Sequence, residues 1–220
     1  MLGIQDRFRL GISTTCSSFG CLNPGSGSLL HICYNLHVSL PTRDEATALL
    51  RTYTTDPYLL HHAAMVGAAT AAYAAVYGED EHLYWLTGYL HDIDYEQHPT
   101  LHPGPSLEWF RDWGYPEDMI HAVEAHADGF NGYTTKPASN LARALIACDE
   151  ICGIFYAYQK LNPIPYGEMK VSSIVKRLKE EKFAPGISRA HIYAAVDGLG
   201  ITLESHIERL IAALATLDKK

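Results

Sequence analysis

Positive charge is scarce in this chain. Seventeen Lys and Arg stand against 25 Asp and Glu, a formal net charge of −8 over 220 residues. A protein built mainly to grip a nucleic-acid polymer needs an excess of Lys and Arg on the contacted face, so that class is set aside. A small anionic ligand stays compatible with the balance, because a metal ion or a local basic patch overrides net charge. Uninterrupted apolar runs are short. None approaches the roughly 18 to 20 residues of a bilayer-crossing helix, so no membrane partner is expected. A cysteine framework is missing too: Cys16, Cys21, Cys33, Cys148 and Cys152 are odd in number and lack paired CxxC spacing, unlike a disulfide scaffold or a zinc finger. Cys148 and Cys152 lie one helical turn apart and read as small core thiols, with a reducing cytoplasm as the expected location. Alternating β-branched runs are few, and no internal repeat emerges.

Apolar residues and histidine are what the chain does have. With 47% apolar and 19% charged residues it reads as an ordinary globular protein, long enough for one domain with a sizeable core. Twelve histidines direct attention to metal chemistry.

The first forty residues differ from the rest. Residues 16–28 (CSSFGCLNPGSGS) are rich in Ser, Gly and Cys without helical periodicity, so 1–40 is expected to be a poorly ordered N-terminal extension. The start lacks the basic cluster and long apolar stretch of a signal peptide. An over-extended gene start, with translation beginning near Val38, is one explanation for it. From Thr42 the signals become helical, and a domain is expected over 42–217. Thr42 and Glu45 form a capping box; Asp56 and Pro57 supply an N-cap and a first-turn proline for an Ala-rich helix reaching about Tyr77. Further helices are predicted at 80–91, 105–113, 116–127, 139–161, 171–182, 188–198 and 203–217. The fold class is all-α.

Within LTGYLHDIDYE (86–96), His91 and Asp92 fall where a helix carrying Leu83, Leu86 and Leu90 meets its following loop. A carboxylate there is costly to desolvate alone, and a divalent cation removes the cost, with imidazole and carboxylate as suitable ligands. Along 139–161, Leu141, Leu145, Asp149 and Cys152 share one stripe, which makes Asp149 a second ligand candidate unless Arg143 or a neighbouring helix pairs with it. HAVEAH (121–126) offers two imidazoles roughly 140° apart on a helix, so His121 and His126 cannot both face one site. His61 and His62 are about 100° apart, and periodicity does not choose between them.

The ordered set His62, His91–Asp92, His126 and Asp149 resembles the H…HD…H…D signature of the HD superfamily of metal-dependent phosphohydrolases. The stretch from YLLHH through LTGYLHDIDYE to ACDEICG, continued by KVSSIVKRLKEEKFAPGISR (170–189), resembles small bacterial HDIG-type domain proteins, with HDID in place of HDIG. The resemblance implies a helical bundle with a central metal site. It selects His62 over His61 and His126 over His121, and adds His102 from HPTLHPG. It implies His62, His91, Asp92 and Asp149 around one ion and Asp92, His102 and His126 around a second, with Asp92 bridging. The metal would be Mn, Fe, Zn, Ni, Co or Mg. The implied reaction is hydrolysis of a small phosphomonoester or phosphodiester, a nucleotide among the candidates, by metal-bound hydroxide. Asp94, two residues past the bridging carboxylate, is a candidate proton-transfer group beside Asp92. Lys170, Lys176, Lys182 and Arg189 are candidate contacts to the anionic substrate, against the alternative of a solvated helix face. Two other readings stay open: a di-iron oxygenase resembling myo-inositol oxygenase in its ligand pattern, and a noncatalytic metal- or nucleotide-binding domain.

Overall fold

The computed structural model describes residues 39–219, so the expectations for 1–40, including the gene-start reading, lie almost wholly outside the described residues. Among the described residues there are nine α-helices and no strand. In chain order they are α1 (Arg43–Tyr53), α2 (Pro57–Tyr77), α3 (Glu81–Leu90), α4 (Gly104–Asp112), α5 (Glu117–His126), α6 (Asn140–Leu161), α7 (Val171–Lys179), α8 (Arg189–Gly198) and α9 (Leu203–Leu214), with 3-10 turns at Tyr166–Glu168 and Ala215–Lys219.

Local chemistry sets where these helices begin. The Thr42 hydroxyl accepts from the Glu45 N–H at 3.3 Å while the Glu45 carboxylate accepts from the Thr42 N–H at 2.8 Å, closing the capping box of α1. Asp56 accepts from the Tyr58 N–H at 2.6 Å, Pro57 gives up no hydrogen bond in the first turn, and Gly78 in the left-handed region (φ 68°) ends α2. By length and composition α2 could cross a bilayer, which short apolar runs did not suggest because His61 and His62 interrupt the stretch. Here it is a core helix: Ala63, Met65, Val66, Ala69 and Tyr73 are buried, and α3, α6 and α9 pack on it.

The closest approach is that of α2 and α3. A Cβ on Gly88 would sit 2.7 Å from the Val66 carbonyl oxygen and 2.8 Å from the Thr70 hydroxyl, so only glycine admits the α2 backbone at this distance. That contact brings the C-terminal end of α3 beside the first turns of α2. Helix α6, whose residues from Ile151 to Phe155 are all buried, packs on α2, α5 and α8. Residues 91–103 then fold by their own turns, with His98 N–H donating to the Asp94 carbonyl and His102 N–H to the His98 carbonyl, each at 2.8 Å. Glu96 ties this segment to the start of α2, accepting from the Thr55 and Asp56 N–H groups at 2.7 and 3.0 Å.

Most helix ends fall within a residue of the sequence expectation. Two do not. The expected helix 171–182 stops at Lys179, because Arg189 gathers the carbonyls of the following segment into a loop, and 203–217 passes into a 3-10 turn after Leu214.

Two outcomes follow from this packing. Gly88→Ala forces its methyl group against main chain and should destabilise the fold by about 1–3 kcal/mol, lowering Tm by about 2–4 °C for each kcal/mol in a thermal melt. The second concerns His206 of α9, which is fully buried, accepts from the Tyr73 hydroxyl at Nδ1 and donates from Nε2 to the Ala147 carbonyl at 3.0 Å. Burial pushes its pKa down to about 4. The unfolded chain, with histidine near 6.5, takes up the proton first, so this group's contribution is complete above about pH 6.5 and is lost as pH falls towards 4. Urea unfolding at pH 7.5 and 5 should show part of that loss, about 2 kcal/mol, and His206→Gln should flatten the difference.

Candidate metal centre

Five chain segments converge at one end of the α2–α3 contact. His62 comes from the second turn of α2, His91 and Asp92 from the end of α3, His102 from the turns after it, His126 from the last residue of α5 and Asp149 from the middle of α6. The two carboxylate oxygens of Asp92 face different partners. Oδ2 lies 3.2 Å from His91 Nε2 and 4.0 Å from His62 Nε2, and Asp149 Oδ1 closes that side at 2.9 Å from His62 Nε2 and 3.4 Å from His91 Nε2. Oδ1 lies 3.3 Å from His102 Nε2 and 3.5 Å from His126 Nε2.

The far side of each ring decides what these atoms offer. His91 Nδ1 lies 2.8 Å from the Gly88 carbonyl, His126 Nδ1 is bonded to the Val123 carbonyl and His102 Nδ1 lies 2.7 Å from Asp94 Oδ1. Each of these partners accepts only, so each Nδ1 carries a proton and each Nε2 faces inwards. His102 and His126 thus bring two ring nitrogens to 3.2 Å of each other with Asp92 between them, and the buried His91 Nε2 has no hydrogen-bond partner. Apart from His62 Nε2, which donates to Asp149 Oδ1 at 2.9 Å, the inward-facing atoms crowd imidazole nitrogens against carboxylate oxygens, an arrangement that suits a cation. Three groups have ligand atoms close enough to hold one: His62, His91 and Asp92; His91, His126 and Asp149; and Asp92, His102 and His126. The residues present therefore fit a divalent metal.

The charges show the same demand. Burial opposes ionisation of His91, yet Asp92 and Asp149 outweigh it and raise its pKa well above the ordinary histidine value. Burial likewise opposes the charge on Asp92 and Asp149, but His91 beside both holds each carboxyl well below the usual range. The pocket stabilises positive charge at the point where the three side chains meet.

A cleft of about 470 Å³ opens over the cluster. Its further walls include Tyr58, Tyr95, Phe130, Glu150, Ile187 and His191. Tyr58 stacks on His62, and Tyr95 stands edge-on to His102, so aromatic rings brace the imidazoles. Glu150 and His191 had not been singled out in the sequence; the adjacency of Glu150 to Asp149 was the available signal.

Several expected site residues lie elsewhere. Asp94 does not reach the cleft as a proton-transfer group: it is 0% exposed, accepts from His102 Nδ1 and accepts from the Ser106 N–H at 3.2 Å. Among the described residues no Lys or Arg lines the cleft. Lys170, Lys176 and Lys182 are exposed, because α7 turns Ile174 and Leu178 inwards and its charges to solvent. Arg189 is turned to main chain, its two terminal nitrogens donating to the carbonyls of Glu180, Phe183, Ala184 and Ile187. His61 bonds the Tyr166 hydroxyl at 2.7 Å, and His121 accepts from the Ala138 N–H at 3.1 Å; neither enters the cluster.

Residues 59–154 match the family model of the HD domain. Neither the curated proteins nor the solved structures gave a match to the chain. HD domains are helical, bind divalent metals and mark a superfamily of metal-dependent hydrolases. The matched stretch contains all six residues of the cluster, and over it the chain is similar to the HD domain.

Proposed function

We propose that this protein hydrolyses a small phosphomonoester or phosphodiester with one or two divalent ions held by His62, His91, Asp92, His102, His126 and Asp149. The observation that carries this reading is the placement of Asp92, whose two oxygens face two separate sets of imidazole nitrogens. A divalent metal, when bound, supplies a water of lowered pKa and polarises a phosphoryl oxygen. The protein's task is then positioning. His91, His102 and His126 are held with Nε2 aimed inwards by their fixed Nδ1 bonds. Tyr58, Tyr95 and Phe130 offer ring faces and edges to the organic part of a substrate. Glu150, which accepts from the Ser188 N–H at 2.9 Å, lies 3.7 Å from His191 Nδ1, and both line the cleft where a leaving group would depart. With no Lys or Arg on the described walls, the substrate's anionic charge falls to the metal, which suits a small, singly phosphorylated compound.

A second reading is an oxygenase holding two irons. Four imidazoles and two carboxylates serve iron as readily as manganese, and walls carrying Asp128 and Glu150 among aromatic rings suit a substrate with little negative charge.

Elemental analysis of anaerobically purified protein, followed by a panel of phosphoesters, separates the two. Hydrolysis predicts phosphate release without O2, lost on chelation and restored by added metal. Iron with O2 consumption and no phosphate release would favour the oxygenase, while retained metal without turnover would mark a binding domain.

Removal of the shared ligand is expected to reach both sides of the cluster. In Asp92→Ala and His91→Ala, bound metal should fall towards zero by mass spectrometry. Phosphate release should fall further than the roughly 10–100-fold typical of losing an outer partner.

A further inference from the structure

Asp94 is a carboxylate in the protein core with a single charged-capable neighbour. Its side chain is fully buried, and its two oxygens are used once each, Oδ1 by His102 Nδ1 at 2.7 Å and Oδ2 by the Ser106 N–H at 3.2 Å. Ser106 lies in the first turn of α4, so a helix N-terminus fixes the carboxylate from behind. Elsewhere in the cluster the anchors are neutral: carbonyls three residues back on the same helix hold His91 and His126. His102 comes from a turn with no helix of its own to supply such a carbonyl, and a carboxylate takes that place. The pair is buried at both ends, since His102 is only 3% exposed.

We propose that Asp94 is the positioning residue for an ion held by Asp92, His102 and His126. The inference rests on reading that group as a metal site and goes beyond it by assigning the carboxylate behind it. Two effects act together. The Asp94–His102 bond keeps a proton on Nδ1 and fixes the ring plane, so Nε2 points at Asp92 Oδ1 and His126 Nε2. Its negative charge also adds to the field on a cation held there, in surroundings with little water to screen it. Nothing comparable acts on the group around His62, His91 and Asp149, so the two ions should respond differently to loss of Asp94.

Titration of metal-free protein with Co(II), followed by its visible absorption and by equilibrium dialysis, tests this in the wild type and in Asp94→Asn. Asparagine keeps the volume and can still accept from His102, but lacks the charge. The expected result is two ions per wild-type chain, and in the variant one ion of unchanged affinity and a second weakened by roughly 10–100-fold. The melting temperature of both proteins in chelator is measured alongside. A purely structural role would lower that temperature and weaken both ions alike, and this outcome overturns the proposal. So does a variant that binds two ions as the wild type does, or a wild type that binds only one. A wild type with two ions and the expected variant, but no phosphate release, would sink the hydrolase reading and leave the role of Asp94 intact.

Discussion

The rest of the structure depends on the carboxylate of Asp92 and the company it keeps. Each oxygen meets ring nitrogens, and those of His91, His102 and His126 have a proton already committed on the other side, so the site crowds negative charge and imidazole nitrogens together. Such an arrangement is unfavourable by itself at this degree of burial. It persists because the surrounding helices leave the side chains nowhere else to go, and a divalent cation turns the same geometry from a cost into a binding site.

The helices that enforce it do so through contacts well outside the cluster. Gly88 lets α3 lie on the backbone of α2, which brings His91 against the turn that carries His62. Its carbonyl, on the same residue, orients His91. Glu96 then clamps the following turns to the start of α2, and those turns deliver His102 next to His126. The loop ahead of α8, gathered by Arg189, brings Ile187 and His191 to the cleft opposite the aromatic wall.

Much of this was legible in the chain itself. Capping residues such as Thr42 and Asp56 announce helix starts because they act on neighbours two or three positions away, and a local cause leaves a local trace. The choice between His61 and His62 could not be made that way. Helix α2 is apolar around most of its girth, so periodicity offers no preferred side, and what separates the two rings is that Tyr166 lies 105 residues ahead of one and Asp149 lies 87 ahead of the other. Arg189 was misread for a related reason: its partners are main-chain carbonyls, which every sequence possesses and none advertises. Asp94 stood out as the departure of HDID from HDIG, but its partners, His102 and Ser106, become neighbours only once residues 91–103 have turned back on themselves.

The wide spacing of the cluster along the chain has a thermodynamic side. An ion grasping His62 and Asp149 closes a loop of 87 residues, and it pins α2, α3 and α6 to a common point. In that sense it would be a reversible cross-link, restricting the unfolded ensemble as a bridge between distant cysteines does. A metal bound to the folded chain and not to the unfolded one would add to the stability of a fold that its helix packing already holds, by an amount set by metal concentration.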